Sequence, residues 1–291
     1  MEQHEGARPV AVQEPAAADR WAATDRGRQR TSGRADKPSR VERTWQVAIL
    51  LAALGIWQLI SHTSLLGPIL NATPAQVWDA FYAMAQDGDL WTGLQASLTA
   101  VLLAFALAVV IGAPVGIGLA LMPRVERVVS PFIDALNATP RVILAPVFIV
   151  AFGIGTSAKV AVGFSLCIFI MIVNARSGVR AVDEDVILLA NSLGAKKREI
   201  FAKILMPAAL PGVFAGMRLS LIFAIFGVVA SELISSTSGL GYLAAKFSNQ
   251  FDMPSVYAVI FVIMIIGSVL NALMRVAERR LMRWRPGGSE L

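Results

Sequence analysis

Six stretches of this chain are apolar over lengths that no water-soluble core accommodates. They run from Trp45 to about Ile60, from about Ser97 to Leu121, from about Phe132 to Phe152, from Val160 to Val173, from about Ala208 to Ile234 and from about Tyr257 to Met274. A bilayer core about 30 Å thick needs roughly 20 apolar residues per crossing helix. Inside it every backbone N–H and C=O must be satisfied within the spanning structure, and runs this long do so as helices. The expected fold is all-α, a polytopic membrane protein with six transmembrane helices and a cytoplasmic helix between spans four and five. Composition agrees: 56% of residues are apolar, only 16% are charged, and the mean hydropathy is +0.62.

Lys and Arg placement gives orientation. With the N-terminus inside, segments 1–43, about 122–130, about 175–207 and the tail after 274 hold nine, two, six and five basic residues of the 26 in the chain. Outside segments hold only Lys159 and Lys246, and Arg141 and Arg218 fall within spans. Both termini are therefore expected in the cytoplasm. The net charge of +6 reports topology, and no nucleic-acid partner is expected. Residues 1–43, with nine basic and seven acidic residues and no apolar run, read as a disordered cytoplasmic tail. Residues 44–276 form the six-span domain and 277–291 a cytoplasmic C-terminal tail. Trp45 and Trp57 sit where interfacial anchors belong, and membrane lipid is the expected surrounding. Between spans one and two, Thr73-Pro74 starts a short amphipathic helix, with Val77, Phe81 and Met84 on one face.

Little material exists for catalysis. Cys167 is the single cysteine, and His4 and His62 are the two histidines, so no disulfide framework, metal site, cofactor or catalytic residue is expected. No Gly-x4-Gly-Lys-Ser/Thr loop occurs. The nearest string, Gly153 to Lys159, has Ala158 in place of the second glycine. Energy from ATP would have to come from another chain.

The connection between spans four and five carries the most information. Asp183-Glu184-Asp185 opens a helix at its positive end. Val186, Leu189, Ala190 and Leu193 then make an apolar face at 3/4 spacing, and Gly194 supplies a C-terminal turn. A second short helix with a basic first turn runs into Pro207. The product is a helix–glycine–helix elbow whose apolar face has no membrane to enter. It either packs under its own bundle or meets a protein partner.

This elbow resembles the cytoplasmic signature of ATP-binding-cassette importer permeases, E-A-A-x(3)-G-x(9)-I-x-L-P. Ala190, Gly194, Ile204 and Pro207 match at the right separations, whereas Leu188 and Leu189 stand in place of its first glutamate and alanine, and Met206 in place of its leucine. The resemblance extends from about residue 70 and takes in Pro207-Ala-Ala-Leu-Pro211-Gly212, Ser238-Gly239-Leu240-Gly241-Tyr242 and Glu278-Arg279-Arg280-Leu281. Within that family the chain is similar to the branch that imports aliphatic sulfonates, taurine or nitrate, although similar permeases import neutral pyrimidine-like precursors. The resemblance implies a non-catalytic subunit in a bacterial cytoplasmic (inner) membrane, working with an ABC ATPase subunit, an extracytoplasmic solute-binding protein and a second permease, either another copy of this chain in a homodimer or a close relative. It also implies a coupling helix at the elbow, with Val186, Leu188, Leu189, Ala190, Leu193, Gly194, Ile204 and Pro207 as the ATPase-coupling residues. A secondary transporter without an ATPase is the alternative, and no clear internal repeat of the kind such carriers show is found.

Ionisable residues within spans are functional candidates by default. Asp134 and Arg141 are seven residues apart on span three and are expected on one helix face, paired through neighbours or lining the pathway. Arg218 falls near the middle of span five, where it either attracts an anionic solute or packs on carbonyls. Glu232 lies near the outer mouth, as part of a gate or docking surface. Arg141, Arg218 and Glu232 are therefore the substrate-pathway candidates. Pro114, Pro140 and Pro146 are expected to kink their spans. The pairs Gly112/Gly116 and Gly212/Gly216 permit close helix approach, within the subunit or along a dimer seam.

Overall fold

Why the apolar runs become these particular helices is legible at their ends. The computed structural model describes residues 40–62 and 72–282. Most of the expected N-terminal tail and the last nine residues of the chain lie outside those limits. Every regular element among the described residues is helical. Contacts divide the chain between Ala52 and Ala53, and the packing described below belongs to the unit that begins at Ala53.

Helix α1 spans Arg40–His62 and α2 spans Pro74–Asp87. The Thr73 hydroxyl accepts from the Gln76 N–H while the Gln76 side chain accepts from the Thr73 N–H, a capping box, and Pro74 occupies the first turn as expected. Val77 and Met84 are buried on the predicted face. Trp57 stacks on Phe261 at 5.7 Å and meets Tyr257 edge-on at 6.3 Å, which fastens this end of α1 to α11.

The remaining long helices are α3 (Asp89–Leu121), α6 (Thr156–Arg180), α9 (Met206–Ile234) and α11 (Met253–Leu281), with α10 (Leu240–Asn249) between the last two. Among the described residues five helices are long and apolar enough to cross a membrane, counting α9 with the residues from Lys197 before it, and six if a bent pair counts as one span. The expected third span is not a single helix. It is α4 (Pro123–Ala138), a 3-10 turn at Arg141–Leu144 and α5 (Ala145–Phe152), bent by 82° at the break. The cause is Thr139-Pro140. A residue before proline is driven out of the helical region, and Thr139 sits at ψ 132. Asp134 and Arg141 consequently do not share a helix face: Asp134 is exposed on α4, and Arg141 is buried beyond the break. Pro146 falls harmlessly in the first turn of α5, and Pro114 stays inside a continuous α3.

Helix α6 is the spine, packed along α3 on one side and α9 on the other. Both glycine pairs are spent on it. A Cβ at Gly112 would lie 2.9 Å from Met171 Cβ, and one at Gly116 would overlap the Ile172 carbonyl. On the other side a Cβ at Gly212 would lie 2.5 Å from Gly178 Cα, so backbones touch with nothing between them. These spacings serve packing within the subunit rather than a seam between copies. Around them Ala100, Ala108, Cys167, Ala224 and Val228 form a wholly buried core, and α2, α10 and α11 close a second one around Val77, Leu243 and Val259. Helix α11 runs on to Leu281, past the point at which the sixth span was expected to end.

Replacing Gly212 by Leu should destabilise the detergent-solubilised protein by about 1–3 kcal/mol through overpacking against Gly178. Gly118→Leu, where a side chain meets open space, should leave the melting temperature unchanged. Thermal unfolding followed by size-exclusion chromatography separates the two.

Candidate functional site

The elbow forms from its own capping chemistry. Helix α7 spans Glu184–Ser192, and the Asp183 carboxylate accepts from the Asp185 N–H at 3.0 Å. At the other end the Ala195 N–H donates to the Ala190 carbonyl (3.0 Å) and the Gly194 N–H to the Asn191 carbonyl (2.9 Å). These two bonds are the Schellman closure, which places Gly194 at φ +79. No atom lies within 4 Å of a Cβ built there, so the position demands a left-handed backbone rather than space.

The chain then restarts as α8 (Lys197–Ile200), where the Glu199 carboxylate accepts from the Lys196 N–H at 3.0 Å. A π-helical turn at Phe201–Leu205 carries it into α9. Pro207 therefore does not stop the second arm. It occupies the first turn of α9, and the elbow's second arm and the fifth span form one continuous rod. Leu188, Leu189 and Leu193 are exposed, Leu193 by 79%, and Val186 is also exposed. Ala190 is buried, and Ile204 is half-buried. Beside them lies an open groove of about 300 Å³ lined by Leu193, Gly194, Ala195, Ile200 and Ile204.

Glu232 is the centre of a second, enclosed arrangement. Its carboxylate is 1% exposed and accepts from Lys159 Nζ (3.0 Å), from Ser97 Oγ (2.8 Å) and from the Gly241 N–H (2.9 Å). Lys159 Nζ also donates to the Ser238 carbonyl at 2.6 Å, and Ser97 Oγ accepts from the Leu240 N–H. The Ser238–Tyr242 segment is thus wrapped around one carboxylate. A Cβ at Gly239 would overlap that carboxylate, which explains the glycine. Lys159, assigned from sequence to an outside loop, is buried in the first turn of α6. The signal that could have found it is its place one residue before an apolar run, opposite an equally unpaired Glu232.

Arg141 and Arg218 sit apart from this cluster. The Arg141 guanidinium donates to the Leu136 carbonyl (2.9 Å) in the last turn of α4, to the carbonyls of Ser165 and Leu166, and to Asn137 Oδ1 (2.9 Å). It also lies 4.4 Å over the Phe169 ring. A cation at a helix C-terminus satisfies carbonyls that the break at Pro140 leaves open. Arg218 pairs with Glu278, three residues from the end of α11. Its side chain is 30% exposed, and its Nε has no partner. The three pathway candidates are therefore not gathered into one site. No cluster of metal-binding side chains occurs among the described residues.

Comparison with known proteins bears on the whole assembly. Residues 108–283 match the family described as the binding-protein-dependent transport system inner membrane component. The chain is 32% identical over 246 residues to the taurine transport system permease protein TauC of Escherichia coli (strain K12), covering 83% of this chain and 90% of that protein. It is 31% identical to the formylaminopyrimidine transport permease protein ThiX of Halalkalibacterium halodurans, covering 81% and 93%. Among solved structures, the MetNI methionine ABC transporter in an inward facing conformation matches with a TM-score of 0.55 at 22% identity, covering 67% of this chain and 94% of that one. An all-helical bundle with broken and unbroken membrane-length helices, matched over more than half its length by one family, leaves a single assignment: this chain belongs to the family of binding-protein-dependent transport system inner membrane components, the permeases of ABC importers.

Proposed function

We propose that this chain forms the translocation pathway of an ATP-driven importer for a small anionic solute of the sulfonate, taurine or nitrate type. The observation that carries the reading is the elbow, which presents Leu188, Leu189 and Leu193 to the outside beside an open groove. Each leucine returns about 1.5–3 kcal/mol when a partner buries it. The partner we assign is an ABC ATPase subunit, which supplies the hydrolysis that this non-catalytic chain does not. An extracytoplasmic solute-binding protein delivers the solute, and a second copy of the permease completes the pathway as a homodimer. Both termini, with the 1–43 and 277–291 tails, lie on the cytoplasmic side of the inner membrane.

Taurine, the solute in the name of one relative, supports the anionic class; formylaminopyrimidine, in the name of another, supports a neutral pyrimidine-like precursor instead. Of the pathway candidates we retain Arg218, whose side chain is partly exposed and whose buried Nε has no hydrogen-bond partner among the described residues. Arg141 and Glu232 are committed to a helix end and a loop.

Proteoliposomes holding the permease with its ATPase and binding protein should take up labelled taurine only with ATP inside the compartment where the ATPase faces. Uptake of a formylaminopyrimidine with no taurine uptake would transfer the assignment to the neutral class. Uptake without any ATPase would establish the secondary transporter. In the same assay Ala190→Arg and Gly194→Val should lower uptake at least about 10-fold while the permease remains inserted. Gly194→Asn, which tolerates the left-handed backbone, should retain most of it. Wild-type uptake by Ala190→Arg would remove the elbow from the coupling path.

A further inference from the structure

The broken span is fastened to the spine in strict antiparallel register. Of the sixteen residues of α4 only Glu126 and Ile133 are buried. Glu126 meets Arg180 (2.5 Å) and Arg176 (3.6 Å), and Ser130 Oγ accepts from Arg176 at 2.6 Å. One turn on, Ile133 packs in a cluster with Ile172, and Phe169 is packed against that cluster. Beyond it, Asn137 and Arg141 reach the level of Phe169, Ser165 and Leu166. Moving along α4 away from Glu126 means moving back along α6 away from Arg180.

The cytoplasmic end of this zipper is polar, and its single carboxylate is 3% exposed. Arg180 is the last residue of α6 and stands three residues before Asp183, the cap of α7. The elbow is thus joined to α6 through the chain, and the end of α6 is joined to α4 through the buried Glu126 carboxylate and the Arg176–Ser130 bond. The rest of the α4 surface is mostly exposed, and apart from these contacts its first turns are held by the single residue, Met122, that links α4 to α3.

We propose that Glu126 is the positioning residue through which displacement of the elbow moves the broken span. The proposal rests on the coupling assignment made above. When the elbow shifts the end of α6, Arg176 and Arg180 draw Glu126 and the first turns of α4 with them. The 82° bend at the far end of α4 is where that movement is absorbed. Without the carboxylate only the Arg176–Ser130 bond and the apolar contact at Ile133 tie α4 to that end of α6, and its first turns stay with the Met122 link to α3 and lag behind.

The test follows distance between spin labels at Val128→Cys on α4 and Val276→Cys on α11, both exposed, in the permease–ATPase complex before and after trapping with ATP and vanadate. Cys167, the only native cysteine, is fully buried and leaves the added pair as the labelled one. The wild-type background should show a shift of about 2–5 Å, the scale of helix movements in such transitions. Arg180→Gln, whose side chain is 58% exposed in the wild type and whose loss leaves Arg176 on Glu126, should at least halve the shift. Glu126→Gln should reduce it further while ATP hydrolysis continues, and Arg180→Lys, which keeps the charge facing Glu126, should retain it. A full shift in both Gln variants, with the ATPase bound and hydrolysing, overturns the role of Glu126 and leaves the elbow assignment standing. A wild-type permease that retains no ATPase overturns the elbow assignment and this proposal with it.

Discussion

A bilayer gives two apolar helices no hydrophobic reason to touch, so the bundle depends on how closely backbones approach α6. Where Gly178 meets Gly212 and where Gly116 meets the Ile172 carbonyl, no side chain stands between the helices. Such contacts gain dispersion energy over their whole length and leave lipid tails no room to compete. Once α3 and α9 are seated, the rest is placed by reference to this spine. Its first turn presents Lys159 to the Glu232 cluster, and its last presents Arg180 to Glu126.

Charge within the bundle follows one rule. Among the described residues every buried ion is met by an opposite ion or by oriented carbonyls: Glu232 by Lys159, Glu126 by two arginines, and Arg141 by a helix end. A buried pair of this kind adds little net stability, since desolvation consumes much of the attraction. What it does is fix register. Glu232 helps determine where the Ser238–Tyr242 segment turns, because moving that segment by one residue would break the Gly241 N–H bond to the carboxylate and the Ser238 carbonyl bond to Lys159.

The sequence made the helical class and the elbow legible because both rest on local chemistry. Length and hydropathy reveal a span, and Asp183, Ala190 and Gly194 announce a cap, a close approach and a left-handed turn. Family membership was also carried by those residues at fixed spacing. The broken third span was hidden because hydropathy counts apolar residues without regard to direction, and the apolar run that starts near Phe132 at the end of α4 resumes in α5 beyond Pro140. The pairing of Lys159 with Glu232 was hidden for a different reason. The partners lie 73 residues apart, and only the folded spine shows that the first turn of α6 faces the end of α9.

The π turn at Phe201–Leu205 has an outcome for how such permeases diverge. There the Met206 N–H reaches back five residues to the Phe201 carbonyl instead of four. One residue more or less in a regular α-helix turns everything beyond it by about 100° around the axis. A π turn takes up its surplus residue in a wider loop of backbone instead, so the helix beyond keeps its facing. Between Ile200 and Met206 a residue can therefore be gained or lost without swinging the elbow away from its partner, and the hydrophobic thickness of the span, set by α9, does not change. Chain length can drift at this one point of the rod while both the elbow's aim and the membrane fit stay as they are.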